Sequence, residues 1–239
     1  MKQRKWNLMK YLNKKLALIL MLSSILWSSN SIMADTNNES NLIIQAENGD
    51  KIAQYSLANL LLSHSIDEKY DDRVFYWYQQ SAQQGYAQAQ FALAIIYEEQ
   101  GNSEQAIIWL EKAAKQNHVQ SQYSLGVNYR FGFLGVKLDN SKALYWLTKA
   151  AKQGYTAAQV ELGNLYLTSS EIDTDYKKGI DWYKKATEAN NPFAQLNLGI
   201  IEKAQSNYKT ALLWFERACK NNLTDGCQLA SEMIAKKQQ

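Results

Sequence analysis

Residues 119–155 read VQSQYSLGVNYRFGFLGVKLDNSKALYWLTKAAKQGY, and the rest of the chain echoes them. Two helical segments flank a glycine-bearing loop over residues 131–139. In the second segment Ala143, Trp146, Leu147, Ala150 and Ala151 fall at i, i+3, i+4, i+7 and i+8, one apolar stripe on a helix. The segment stops at Gly154, a residue free to turn left-handed and close the last turn.

That layout recurs. Trp77, Trp109, Trp146, Trp182 and Trp214 each precede a Gly or Asn by eight positions: Gly85, Asn117, Gly154, Asn190 and Asn222. Gly49 ends a shorter helix in the same way. Four residues after each stop comes a small residue: Ala53, Ala89, Ser121, Ala158, Ala194 or Gly226. Five further on sits a second: Ala58, Ala94, Gly126, Gly163, Gly199 or Ser231. Glycine inside a helix is about 1 kcal/mol worse than alanine. Three glycines in one register therefore imply a neighbour that comes too close for a larger side chain. The five aligned tryptophans read as core.

The stops are 36, 32, 37, 36 and 32 residues apart, the period of a solenoid of helical hairpins. Leu125-Gly126-x-x-Tyr129 is followed by Gly135-Val136-x-x-Asp139-x-x-Lys142-Ala143-x-x-Trp146-x-x-Lys149-Ala150-Ala151-x-x-Gly154. This pattern closely resembles the Sel1-like repeat, a relative of the tetratricopeptide repeat, over roughly residues 41–239. The expected fold is all-α: a right-handed α-solenoid of antiparallel helix pairs, a Sel1-like or tetratricopeptide-like superhelix. Repeats are expected at about 49–84, 85–116, 117–153, 154–189 and 190–221, with a C-terminal cap helix within 222–239. Their helices read as 51–62 with 72–83, 87–100 with 103–115, 119–130 with 140–152, 156–167 with 175–188, and 192–205 with 208–220. The second and fifth repeats shorten the loop between their helices and sit closer to the tetratricopeptide form. Pro192 suits the first turn of its helix, where a missing N–H is no loss.

With a single proline and 46% hydrophobic residues, the composition fits one elongated helical domain. The formal charge of +3 arises from the N-terminus. Lys2, Arg4, Lys5, Lys10, Lys14 and Lys15 all precede the first acidic residue, Asp35. Residues 35–239 hold 20 basic and 23 acidic residues, a net −3, which removes the footing for a nucleic-acid partner. Residues 1–34 read as a secretory signal: a basic stretch, the apolar run 16–27, and Ala34 before a cut at Asp35. The run is short for a membrane span of about 20 residues. An uncleaved signal would be the one expected attachment to a membrane. Residues 35–40 read as a polar linker, and 41–48 as the end of a second-type helix. The expected location is therefore the periplasm, or the medium, after cleavage near Ala34.

No constellation supports catalysis, a metal or a cofactor. His64 and His118 stand singly near loops, and no HExxH, CxxC, Walker or GxGxxG spacing occurs. Nor is there a GxSxG elbow. Glu98–Glu99 and Asp71–Asp72 read as solvated helix-surface or helix-start carboxylates. Cys219 and Cys227 are the only cysteines, one ending a helix and the other opening the next. The residues alone leave open a disulfide or two small buried thiols. Cysteine-rich secreted Sel1-like proteins pair cysteines at this spacing, so the resemblance implies a Cys219–Cys227 disulfide.

The resemblance also implies a partner surface, because the first helix of each tetratricopeptide-like hairpin lines a concave face. By register that face takes Ile52, Tyr55 and Asn59, then Gln88, Phe91, Ile95 and Glu98. It continues with Gln120, Tyr123, Val127 and Arg130, then Val160, Asn164 and Leu167, and ends with Leu196, Ile200 and Lys203. Apolar and amide groups in this mixture suit a protein or peptide better than a phosphate-rich ligand. The expected function is a non-enzymatic scaffold or adaptor for an envelope or secretion assembly. Two alternatives are implied by Sel1-like relatives. One is an immunity protein against a phospholipase-type effector of a type VI secretion system. The other is a β-lactam-binding or -hydrolysing protein, for which the sequence offers one cysteine pair and no identifiable nucleophile.

Overall fold

Most of the described helices are opened by a capping side chain or closed by a left-handed residue. The Oδ1 atoms of Asp50, Asp139, Asp175 and Asn191 accept from backbone N–H groups two or three residues on, at 2.8–3.0 Å. All six stops are left-handed: Gly49, Gly85, Asn117, Gly154, Asn190 and Asn222 have φ of 90°, 82°, 65°, 83°, 56° and 63°. The computed structural model describes residues 32–64, 72–169 and 175–237. Among them are twelve α-helices and no strand. They are α1 (Ile32–Glu47), α2 (Lys51–His64), α3 (Asp72–Gln83), α4 (Ala87–Glu99), α5 (Ser103–Lys115) and α6 (Val119–Phe131). There follow a 3₁₀ turn (Phe133–Gly135), α7 (Asn140–Lys152), α8 (Thr156–Thr168), α9 (Tyr176–Glu188), α10 (Pro192–Ala204), α11 (Tyr208–Lys220) and α12 (Thr224–Lys237).

These bounds fall within two residues of those expected from the sequence. One expectation is overturned. Residues 35–40 are not a linker but part of α1, which starts at Ile32. Leu42, Ile43 and Ala46 anchor that helix against Ala53 and Leu57 of α2, and extending an anchored helix by a few residues is inexpensive. The expected signal segment lies almost wholly outside the described residues, as does Asp71.

The chain divides into two compact units, Met1–Ile96 and Tyr97–Gln239. In the first, Ala58, Val74, Tyr78, Ala92 and Ile96 form a core flanked by Tyr55, Phe75 and Trp77. In the second, Val160, Tyr183, Ala186, Ala194 and Leu198 form one core. Ala211, Phe215 and Ala230 form another, joining α11 to α12.

The tryptophans are not the centre of these cores. Trp109 is 8% exposed, but Trp77, Trp146, Trp182 and Trp214 are only half-buried. The fully enclosed position is the next residue: Tyr78 (0%), Leu110 (4%), Leu147 (0%), Tyr183 (3%) and Phe215 (0%). Adjacent helix residues point about 100° apart, so both cannot face the partner helix, and the second one does. Four indoles instead carry a cation three residues on. Lys112, Lys149, Lys185 and Arg217 sit 3.7, 5.4, 4.3 and 4.7 Å from the rings of Trp109, Trp146, Trp182 and Trp214.

The same enclosed residues explain the glycine register. A Cβ at Gly126, Gly163 or Gly199 would lie 2.5, 2.4 or 2.5 Å from Leu147, Tyr183 or Phe215 respectively. The missing side chain is the space into which the facing side chain fits.

After four of the six stops runs a hydrogen-bonded clasp that uses the glutamine five residues on. The Nε2 groups of Gln54, Gln90, Gln122 and Gln159 donate to the carbonyls of Ala46, Ala82, Ala114 and Ala151, each eight residues back, at 3.0–3.3 Å. All four glutamines are buried. Each adds a second bond to a carbonyl that already accepts from the N–H of its stop residue at 3.0–3.1 Å. The recurrence at stop-plus-five was visible in the sequence; its role was not.

His118 is the N-cap of α6. Its Nδ1 lies 3.4 Å from the Ser121 N–H and 3.0 Å from the Ser121 hydroxyl. Burial pulls its pKa from 6.5 down to about 4. The unfolded chain therefore binds a proton that the folded chain refuses, and stability falls as pH drops from about 6.5 towards 4. A His118→Asn variant keeps a capping acceptor without titrating. Thermal melts across this window should show a steeper loss for the wild type than for the variant; parallel profiles would rule out the histidine as the cause.

Candidate functional site

First-type helices place their partner-facing candidates at fixed distances from each stop, but tertiary packing treats those positions unequally. In the first unit Ile52 is 54% exposed and Gln88 is exposed, whereas Asn59 is 9% exposed and accepts the Tyr78 hydroxyl at 2.6 Å. Asn59 thus satisfies a buried phenol. Tyr55 packs on Tyr78 and Tyr86 at ring distances of 5.7 and 5.2 Å. Phe91 and Ile95 are half-buried.

In the second unit, Val160 is buried and Leu167 and Leu196 pack against core residues, so these three serve the interior. Tyr123 packs against Tyr155 with the rings tilted and 5.0 Å apart, and burial, reinforced by Tyr155, pushes its pKa up to about 12. Glu98, Gln120, Val127 and Lys203 are half-buried, while Ile200 is 47% exposed.

Arg130 is held in place. Its guanidinium donates to the Glu161 carboxylate and, at 3.4 Å, to the Glu161 backbone carbonyl, tying α6 to α8. Burial draws the Arg130 pKa down, opposed by the nearby Tyr183 and Tyr123. One turn along, Asn164 Oδ1 accepts the Tyr183 hydroxyl at 2.6 Å and the Asn197 Nδ2 at 3.3 Å, tying α8 to α10. Burial pushes the Tyr183 pKa up to about 12, so this hydroxyl remains a donor. Both bonds fall on the oxygen of Asn164. Its own N–H₂ and the carbonyl of Asn197 therefore have no protein partner among the described residues, and both residues are half-exposed.

A band across the first-type helices of the second unit is thus fixed by an ion pair and an amide pair. Glu161 and Asn197, both seven residues past a stop, were missed in the sequence because they lie one position beyond the assumed register. Phe193, 56% exposed and three past its stop, was missed although Ile52, Gln88 and Gln120 share its register.

The two cysteines form a disulfide between the end of α11 and the start of α12, with Cα atoms 4.5 Å apart. Among the described residues no group of three or more His, Cys, Asp or Glu could hold a metal ion. No described helix is long and apolar enough to cross a membrane.

A sequence model described as Sel1 repeat matches residues 51–86, 87–118, 119–155, 156–191 and 192–223. No curated protein matches the chain. Among solved structures, the protective antigen c5321 of uropathogenic Escherichia coli, which displays an SLR fold, is 28% identical with a TM-score of 0.76, over 82% of this chain and 43% of that one. A Sel1 repeat protein from Oxalobacter formigenes is 27% identical with a TM-score of 0.66, over 80% of this chain and 57% of that one. A Klebsiella pneumoniae sel1 repeat protein, 24% identical with a TM-score of 0.51 over 82% of this chain and 99% of that one, shares the fold. The chain spans less than two thirds of the length of the first two. Five consecutive repeat matches, left-handed stops in every joint and this shared solenoid architecture place the chain in the Sel1 repeat family.

Proposed function

We propose that this protein is a non-enzymatic adaptor that binds an extended segment of another protein on the first-type helices of its second unit. Sel1-like and tetratricopeptide-like repeats generally bind proteins or peptides, and the Asn164–Asn197 pair carries the more specific reading. A peptide unit offers one carbonyl acceptor and one N–H donor. The free Asn164 N–H₂ and the free Asn197 carbonyl are the complement of that pair. They are held still by Tyr183, so little side-chain freedom is lost on binding. Exposed Phe193 and Ile200, on the same helix as Asn197, supply apolar contact for a neighbouring side chain.

Export to an oxidising compartment belongs to the same proposal. The Cys219–Cys227 disulfide supports it, since such bonds persist mainly outside the cytosol.

The test is capture from a periplasmic extract with three baits: wild type, Asn197→Ala and Tyr145→Ser. Asn197→Ala leaves the Tyr183–Asn164 bond intact. Tyr145, 53% exposed on a second-type helix, lies off the proposed surface. A partner held by wild type and Tyr145→Ser but reduced about tenfold by Asn197→Ala, with unchanged melting, is the expected result. That loss corresponds to about 1.4 kcal/mol. A partner held equally by all three baits would reject the surface. An envelope complex among the partners would mark an adaptor, and a secreted lipase an inhibitor.

A further inference from the structure

Five residues past its stop the last joint has no glutamine, whereas Gln195 of the joint before it accepts from the Asn221 Nδ2 at 2.9 Å. Where Gln54, Gln90, Gln122 and Gln159 reach back eight residues to the preceding helix end, position 227 is a cysteine. Cys227 is bonded to Cys219, also eight residues back and also three residues before its stop, as Ala46, Ala82, Ala114 and Ala151 are. The disulfide thus stands where a glutamine-to-carbonyl hydrogen bond stands elsewhere. The joint is tight: a Cβ on Gly226 would lie 2.7 Å from the Ala218 Cβ and 2.9 Å from the Cys219 nitrogen.

α12 packs Ala230, Leu229 and Met233 on the core of Ala211 and Phe215, but encloses few of its own side chains. Gly226 and Ala230 are its only described buried residues, while α6 buries Ser121, Gln122, Leu125, Gly126, Asn128 and Tyr129. A helix of its length is marginal in water without tertiary support. Both cysteines are half-buried and so within reach of a thiol reductant.

We propose that the Cys219–Cys227 disulfide is a redox-sensitive latch that holds α12 on the end of the repeat stack. Opening it transfers two electrons and two protons from a protein or small-molecule dithiol to the S–S bond. The dithiol leaves as its own disulfide, and Cys219 and Cys227 become thiols. With no glutamine at position 227 to take over, α12 separates from α11. The surface it covers then opens, namely Ala211, Phe215, Leu196 and Leu212. A reducing environment thereby changes the end of the stack while the glutamine-clasped joints stay closed. This device is independent of which surface binds a partner.

Amide hydrogen exchange on the full chain, with and without dithiothreitol, tests it; alkylation and intact mass report the oxidation state. On reduction, the amides of residues 227–237 should exchange at least tenfold faster, while those of α8–α10 keep their protection. Cys227→Ser should exchange rapidly in both conditions. Cys227→Gln restores the hydrogen-bonded clasp to the Cys219 carbonyl, and should exchange slowly in both. Unchanged protection of α12 in reduced wild type and in Cys227→Ser would overturn the latch. So would loss of protection spread evenly over α7–α12, because opening would then not be local. Cys227→Gln as labile as Cys227→Ser would overturn the equivalence of disulfide and glutamine.

Discussion

Phe215→Ala should lose about 3–5 kcal/mol of stability, and its neighbour Trp214→Ala only about half as much. The larger side chain is expected to matter less because of where each one points. Phe215 is fully enclosed, with its ring in the space left by Gly199 and its core shared with Ala211 and Ala230. Truncation there leaves a cavity that two helices must collapse around. Trp214 is half-buried, packed against the core that holds Tyr183 and Leu198 and 4.7 Å from the Arg217 guanidinium, so truncation removes contact at a site already open to water. Denaturant melts of both variants, compared at constant slope, settle the order. A larger loss from Trp214→Ala would return the tryptophans to the centre of the core.

Gly163→Leu should destabilise by about 2–3 kcal/mol, although leucine is the better helix former by nearly 1 kcal/mol. Even a single carbon at Gly163 would lie 2.4 Å from the Tyr183 ring. Tyr183 cannot retreat freely, since its hydroxyl is bonded to Asn164 and its ring is 3% exposed. The first repeat houses Ala58 and Tyr78 in one core, so a methyl can be accommodated with small shifts where an isobutyl group cannot. The double variant Gly163→Leu/Tyr183→Ala should recover part of the loss in a chemical melt. A stability gain from Gly163→Leu alone would show that the glycine is there for backbone reasons only. Because Tyr183 also orders Asn164, the single variant is expected to weaken partner binding as well.

Local rules made the outline of this chain legible. Stops at Gly or Asn, polar caps before the next helix and apolar stripes at helical spacing each depend on a few neighbouring residues. The linear order therefore sets the helix bounds, the hairpin count and the identity of the family. The cysteine pairing was implied by the resemblance, since cysteine-rich Sel1-like proteins pair cysteines at this spacing. Only the packed structure could decide which side of each stripe faces inward. Trp214 and Phe215 are adjacent and both apolar, and the partner helix meets one of them. The same holds on the face proposed for binding. Asn59 and Asn164 share one register and each accepts a tyrosine hydroxyl, yet Asn59 is buried while Asn164 stands half-exposed beside Asn197. Periodicity assigns a residue to a face; the neighbouring helix, absent from any local window, decides whether that face is interior, clasp or contact surface.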